Sequence, residues 1–103
     1  MLLTGDAEEP EEKYILRSGA DVRADVLKVA HHGSRTASSE AWLQSVAPQV
    51  AIISVASDSP YEHPHYEVLQ RLQLRDVMIY RTDQHGTVTV RSNGRTYQVF
   101  TER

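Results

Sequence analysis

The run Val50-Ala51-Ile52-Ile53-Ser54-Val55 constrains the fold more than any other segment of the chain. It is almost continuously apolar and mostly β-branched, whereas a strand with one solvated face alternates apolar and polar side chains. Such a run is typical of a strand that is buried on both faces in the middle of an α/β layer. The sequence therefore predicts a central strand within a layered structure.

Strand-like and helix-like segments alternate around this run. Strands are predicted at residues 1–4, 24–30, 50–55 and 77–80. The intervening helices are predicted from about Glu8 to Gly19, from a cap at Ser38 or Ser39 to Pro48, and around Val68, Leu69, Leu72 and Leu74. Residues 86–91 and 96–101 are expected to pair across Asn93-Gly94, a strong hairpin signal. The predicted order is β-α-β-α-β-α-β and then a hairpin, an α/β fold in one unit over residues 1–103.

Composition excludes several classes of protein. The net charge is −3, whereas a dedicated nucleic-acid binder usually has an excess of basic residues. Any contact with nucleic acid would therefore have to be local, through a metal or a small patch. The absence of cysteine excludes disulfides and thiolate metal sites. The apolar runs are far shorter than the roughly 20 residues needed to span a bilayer. The N-terminus becomes charged too quickly for a signal peptide and resembles the end of a strand, as if the chain began in mid-fold.

Polar residues follow directly after each predicted strand. The residues concerned are Asp6 after the first strand, His31 and His32 after the second, His63 and His65 after the third, and Asp83 and His85 after the fourth. Such residues collect at one edge of an α/β sheet, where ligands usually bind. A carboxylate with imidazoles is a reasonable ligand set for zinc or manganese. A metal held in this way can generate hydroxide and polarise a phosphoryl or acyl group, so the chemical interpretation is a metal hydrolase.

Each of these residues also has a structural interpretation. An aspartate after a glycine, such as Asp6, is most often a turn or capping residue. A His-His pair in a loop is more often structural or exposed, and His63-Pro64-His65 is most simply a rigid turn. The acidic run at residues 8–12 is interpreted as a solvated helix start, and Trp42 as a core residue. Spacing alone does not decide between the two interpretations.

Four motifs, taken in order, resemble the end of the metallo-β-lactamase-like domain of ComEC proteins. They are Leu2-Leu3-Thr4-Gly5-Asp6, the segment at residues 24–34 that ends in His31-His32-Gly33-Ser34, Tyr61-Glu62-His63-Pro64-His65, and Tyr80-Arg81-Thr82-Asp83 with Gly86. The resemblance runs from the first residue to about residue 91. It implies the C-terminal half of a metallo-β-lactamase-type αββα sandwich. It also implies part of a metal-dependent nuclease or phosphodiesterase linked to DNA uptake in competence.

The resemblance assigns roles to particular residues. It implies that Asp6 bridges two metal ions and that the histidine closing the site is His31 or His32. It does not decide between the two, and the other histidine would orient its neighbour. His63, His65 and Asp83 would line the same cleft, where they could meet substrate phosphate or act in proton transfer. Lys28 and Ser34 are weaker candidates.

The full-length members of this family combine a membrane channel, a small β-domain and the hydrolase-like domain outside the membrane. The resemblance therefore implies a bacterial parent in the cell membrane, with DNA as its substrate and with this domain on the outer side. Other relatives carry the hydrolase domain without a channel. The chain itself is expected to be soluble.

Two departures from the family pattern limit what the resemblance implies. The glycine before His-Pro-His is Glu62 here and the proline after it is Tyr66, so a carboxylate beside the cleft puts the preference for a nucleic-acid phosphate in doubt. The first-half signature, His-x-His-x-Asp-His, which supplies most of the metal ligands, is absent from this chain. The metal is therefore expected to be incompletely ligated, and the chain inactive without the missing N-terminal half of the domain.

Two further expectations concern other functions and assembly. A non-catalytic interaction or scaffold module of the same fold is the alternative function, although both histidine motifs are retained. A DNA-binding module is disfavoured by the negative net charge. Half of a sandwich would leave one sheet face uncovered, so the run at residues 50–55 is expected to seek a partner, with self-association or marginal stability as the result.

Overall fold

Four short strands form one parallel sheet. They are β1 (Leu2–Leu3), β2 (Val26–Lys28), β3 (Val50–Ile53) and β4 (Met78–Arg81). Neighbours in sequence are neighbours in the sheet, in the order β1-β2-β3-β4, and each adjacent pair is parallel. The computed structural model from which this follows describes residues 1–3, 5, 8–29, 33, 37–55, 64–93 and 95–103.

Helices connect these strands, and a hairpin ends the chain. The helices are α1 (Glu9–Arg17), α2 (Glu40–Val46) and α3 (Tyr66–Leu74), followed after β4 by the single-turn α4 (Thr82–His85). The antiparallel hairpin pairs β5 (Val88–Ser92) with β6 (Tyr97–Thr101). The predicted order of elements is confirmed, with α4 as an addition. The chain is thus a mixed α/β domain with a parallel sheet and a separate hairpin.

Local hydrogen bonds explain where α1 and α2 begin. The backbone N–H of Glu8 donates to the Glu11 carboxylate at 3.1 Å, and Pro10 lies in the first turn of α1, where its missing N–H costs nothing. The Ser39 hydroxyl accepts a hydrogen bond from the Trp42 N–H at 3.3 Å, so Ser39 is the cap of α2. The sequence predicted either Ser38 or Ser39 as the cap of α2, and the structure shows that it is Ser39.

The strand order explains which face of the sheet the helices cover. Each new strand is added beside the preceding one, always in the same direction across the sheet. Crossovers between parallel strands are right-handed almost without exception, so the three connecting helices must lie on the same face of the sheet. The main core confirms this arrangement. It contains Leu27, Ala51 and Ile53 from the sheet and Trp42, Leu43, Val46, Val68 and Leu72 from the helices. Trp42 is thus a core residue, as predicted.

The hairpin covers part of the opposite face. Val26, Val50 and Ile52 form a second buried cluster there, and Tyr80, Val88, Val90, Tyr97 and Val99 pack against it. The Tyr97 hydroxyl also hydrogen-bonds the Gln49 side chain at 2.8 Å, which joins the hairpin to the segment before β3. The prediction that β3 is buried on both faces is confirmed.

Three sequence-based expectations are wrong in detail. The run at residues 50–55 does not present an uncovered face, since Val50 and Ile52 are each only 7% exposed beneath the hairpin. The large exposed apolar side chains of the sheet lie instead on its outer strands, at Leu3 in β1 and Met78 in β4, and Met1 just before β1 is exposed as well. Leu74, predicted among the apolar residues of α3, is 76% exposed, because it follows the buried Leu72 by two residues and therefore lies about 200° around the helix from it.

The third error concerns the acidic run at residues 8–12. Glu12 is completely buried, although the run was interpreted as a solvated helix start. Its carboxylate accepts hydrogen bonds from backbone amides of a distant segment, which no local pattern indicates.

Among the described helices, none is both long and apolar enough to cross a membrane.

Candidate functional site

The carboxyl ends of the four parallel strands lie at one edge of the sheet, and the predicted site residues follow these ends in the sequence. Asp6, His31, His32 and His63 lie outside the described residues, as does Ser34. His65 precedes the first residue of α3, Asp83 lies in α4, and Lys28 is the last residue of β2. The part of this edge that the structure describes therefore includes residues that are next to these five in the sequence.

Gly33 joins the two histidine motifs. Its carbonyl oxygen accepts a hydrogen bond from the backbone N–H of His65 at 2.9 Å. A Cβ atom on Gly33 would lie 2.5 Å from the Pro64 Cβ, and its φ of +82° is in the region that favours glycine. Gly33 follows His32 in the sequence and Pro64 follows His63, so described residues next to both histidine pairs meet here.

A threonine joins the ends of β3 and β4. The Thr82 hydroxyl accepts a hydrogen bond from the Val55 N–H at 2.8 Å and donates one to the Val55 carbonyl at 2.9 Å. Val55 is buried, so both of its backbone groups depend on partners within the protein. The loop that follows β3 is therefore attached to the residue at which α4 begins.

Asp83 is held by a neighbouring arginine. The Arg81 Nε contacts one carboxylate oxygen at 3.0 Å, and Nη2 contacts the other at 2.6 Å. Both side chains are largely buried, with the Asp83 side chain 12% exposed and that of Arg81 21% exposed. A bidentate pair of this kind fixes the orientation of both groups. This geometry favours Asp83 as the residue that orients Arg81.

His85 completes this corner of the edge. Its Nδ1 accepts a hydrogen bond from the backbone N–H of Arg81 at 3.0 Å, and its ring packs edge-on against Tyr80 with centroids 5.6 Å apart. The imidazole therefore closes the turn of α4. Arg81 was quoted within a motif but given no role from sequence, and its spacing from Asp83 was the signal that could have identified the pair.

A cavity of about 620 Å³ lies between the sheet and the hairpin at the same edge. Lys28 at the end of β2, and Ser54 and Thr82 just after β3 and β4, line it with polar groups, and Ile52, Val88 and Val90 contribute apolar side chains. Glu102 also lines it, and the hydrogen bonds from Thr87 to its carboxylate lower the pKa of that group below its ordinary value. The cavity offers a charged and hydroxylated rim above an apolar floor.

The described residues at this edge do not make up a metal site by themselves. Within residues 1–3, 5, 8–29, 33, 37–55, 64–93 and 95–103, no group of three or more His, Asp or Glu side chains is placed to hold a metal. Asp6 with His31 or His32 would supply one oxygen and one or two nitrogen ligands, which suit zinc in type but are fewer than its usual four. The metal site remains a prediction.

Comparison with known proteins shows relatives of the chain among much longer proteins. It is 42% identical over 101 residues to ComE operon protein 3 of Bacillus subtilis, a match that covers 96% of the chain and 13% of that protein. It is 43% identical over 90 residues to Recombination protein 2 of Haemophilus influenzae, covering 87% of the chain and 11% of the relative. Competence protein ComA of Neisseria gonorrhoeae is 34% identical over 89 residues, covering 85% of the chain and 13% of the relative.

The chain thus spans only 11–13% of the length of these relatives. No protein-family profile and no solved structure matches it. The names of the relatives indicate a group of competence proteins, and the chain is homologous to one segment of them.

Proposed function

We propose that this homologue of a segment of the competence proteins is the C-terminal part of a metal-dependent hydrolase, a nuclease or phosphodiesterase that acts on DNA during uptake. The observation that carries the proposal is the contact of Gly33 with Pro64 and His65. It brings the neighbours of both histidine motifs together at the carboxyl edge of a parallel sheet, where ligands usually bind. The similarity to competence proteins supplies the biological setting.

The residues of the chain would divide the work of such a site. Asp6 and one of His31 and His32 would hold a zinc or manganese ion, which when bound activates water and polarises a phosphoryl group. His63 and His65 would lie beside the substrate phosphate and exchange protons with it or with water. Asp83 would keep the guanidinium of Arg81 in one orientation, since both of its oxygens already contact that group.

The proposal requires a second segment, because the chain has too few ligands for a complete metal centre. In this proposal the longer parent supplies the His-x-His-x-Asp-His half, as part of a membrane-associated protein with this domain on the outer side. Two features of the chain suit such a partner. Leu3 in the outer strand β1 is 68% exposed and Met1, which precedes this strand, is 67% exposed; the cavity beside β5 is lined in part by apolar side chains. Apolar surface of this kind commonly marks an interface.

The metal ligands can be tested by calorimetric titration of the chain with Mn²⁺. We expect weak binding by the native chain, its loss in the Asp6→Ala variant, and its loss in whichever of the His31→Ala and His32→Ala variants removes the second ligand. Asp25→Ala is the matched control, since Asp25 is exposed and precedes β2 at the opposite edge of the sheet. Unchanged binding in Asp6→Ala would contradict the proposed metal site.

The need for a second segment can be tested by measuring activity. The chain alone is expected to show no turnover of a generic phosphodiester with Mn²⁺. Joining it to the segment that carries His-x-His-x-Asp-His should produce turnover that a chelator stops. Chelator-sensitive turnover by the chain alone would show that no second segment is required. An assembled protein without turnover, whose partner binding is unaffected by Asp6→Ala and His31→Ala, would support the scaffold alternative.

A further inference from the structure

A largely buried arginine ends β4 at the carboxyl edge of the sheet. Arg81 is the last residue of this strand, and its side chain is 21% exposed. The two carboxylate oxygens of Asp83 accept hydrogen bonds from its Nε at 3.0 Å and its Nη2 at 2.6 Å. Removing two charges from water costs about as much free energy as their attraction returns. The pair is therefore a weak source of stability by itself.

The ion pair also joins no distant parts of the chain. Arg81 and Asp83 are two residues apart, so their contact closes no long loop. The end of β3 is attached to the start of α4 by the Thr82 hydroxyl, which bonds both backbone groups of Val55. The turn of α4 is closed by His85, which accepts from the Arg81 backbone N–H. What the pair adds to these bonds is a fixed orientation of the guanidinium.

The guanidinium has more N–H groups than one carboxylate accepts. Asp83 accepts from Nε and from Nη2, which leaves both N–H groups of Nη1 and one of Nη2. Among the described residues, none of these remaining groups has an acceptor. A guanidinium is always charged, and its unused donors are directed by the planar fork that Asp83 holds. Such a group is suited to binding an anion.

Arg81 lies on the same face of the sheet as the contact between Gly33 and Pro64. Ile79 packs against the main core and Tyr80 against the hairpin, and side chains alternate along a strand, so Arg81 belongs to the face that the helices cover. Its partner in the register of β3 and β4 is Ile53. A Cβ on Gly33 would lie 3.5 Å from the Ile53 Cγ2. Arg81 is therefore one strand, about 4.8 Å, away from the residue that contacts Gly33.

We propose that Arg81 binds a phosphate oxygen of the substrate and that Asp83 is the positioning residue that orients the guanidinium for this contact. The planar fork of arginine matches two oxygens of a phosphate group, and arginine loses less hydration than lysine when it binds one. The chain has a net charge of −3, so attraction for the backbone of a nucleic acid must come from a local group of this kind. That the phosphate is a phosphodiester of DNA rests on the function proposed above.

The test is an NMR titration of the ¹⁵N-labelled chain with a thymidine dinucleotide, which carries a single phosphodiester, at low salt and with EDTA present. We expect the Arg81 Nε–H resonance to shift and saturate. Arg81→Gln should raise the dissociation constant about tenfold, because it removes a charged donor. Arg81→Lys keeps the charge without the fork and should raise it about threefold. The lysine variant serves as the test if the glutamine variant does not fold.

Asp83→Asn tests the positioning role. Asparagine offers one acceptor oxygen to two N–H donors, so the guanidinium is held less firmly. The substitution also makes the chain less negative, and charge alone would strengthen binding of the dinucleotide. We expect binding about threefold weaker with an unchanged backbone amide spectrum elsewhere in the chain, which identifies orientation as the cause. Stronger binding would contradict the positioning role.

Arg23→Gln is the matched control, since it removes the same charge from an exposed residue that precedes β2 at the opposite edge of the sheet. Its dissociation constant should stay within about twofold of the native value. The proposal is overturned if the native chain binds no dinucleotide, if binding does not move the Arg81 resonance, or if Arg81→Gln weakens binding no more than Arg23→Gln.

EDTA makes this titration independent of the metal ligands. A chain that binds the dinucleotide through Arg81 but binds no Mn²⁺ in the calorimetric titration would keep the phosphate contact and lose the proposed metal site. A chain that binds Mn²⁺ but no dinucleotide would keep the metal site and lose the phosphate contact. The failure of either proposal is thus distinguishable from the failure of the other.

Discussion

Replacing Gly33 with alanine is expected to destabilise the chain by about 3 kcal/mol, the sum of backbone strain and steric overlap. The strain arises because φ is +82° at this position. The overlap arises because the new Cβ would lie 2.5 Å from the Pro64 Cβ and 3.0 Å from its Cα, which belongs to the backbone and cannot move aside alone. The hydrogen bond from His65 to the Gly33 carbonyl should weaken as well.

Gly19→Ala separates the two contributions. Gly19 has a φ of +80°, nearly the value of Gly33, yet a Cβ there would meet nothing within 4 Å. This control should lose only about 1 kcal/mol, the cost of the backbone conformation. Urea denaturation of both variants gives the difference directly. Equal losses would contradict the predicted steric overlap between a side chain at position 33 and Pro64.

Replacing Thr82 with valine is expected to cost about 2 kcal/mol, because a side chain of the same shape no longer bonds two backbone groups of Val55. The N–H and the carbonyl of that buried residue would both lose a partner. The end of β3 would then no longer be attached to the start of α4. We therefore expect the free energy of unfolding and the protection of the Val55 amide to fall together.

Thr101→Val is the control for this substitution. The Thr101 hydroxyl donates to the Arg103 carbonyl at 2.8 Å at an exposed position near the C-terminus, where water can replace the bond. The loss should stay within about 0.5 kcal/mol. If Thr82→Val were no more harmful than this control, the hydroxyl of Thr82 would not be what joins the two strand ends.

Local periodicity was enough to predict the order of the strands and helices. The apolar run at β3 and the Asn93-Gly94 turn are strong signals because each depends on a few adjacent residues. The position of the hairpin was not predictable in this way. Its packing on Val50 and Ile52 depends on a return of the chain across the sheet, so the uncovered face expected from sequence is occupied.

The candidate site shows the same division between local and distant effects. Gly33 lies after β2 and Pro64 lies before α3, and their close approach joins described residues at one edge of the sheet, while the placement of His31, His32 and His63 stays a prediction. The burial of Glu12 could not be predicted, because its partners Ser38 and Ser39 lie 26 and 27 residues away. The roles of His63, His65 and the metal ligands remain predictions.

The strand order also bears on how the chain folds during synthesis. Because β1, β2, β3 and β4 join the sheet in the order in which they are made, each βα unit can dock on the preceding one as it leaves the ribosome. The second face is covered only after the parallel sheet is complete, since β5 and β6 follow β4 in the sequence. Until then Val26, Val50 and Ile52 lack this cover, so the growing chain is most prone to aggregation after β4 has been made and before β6 is complete.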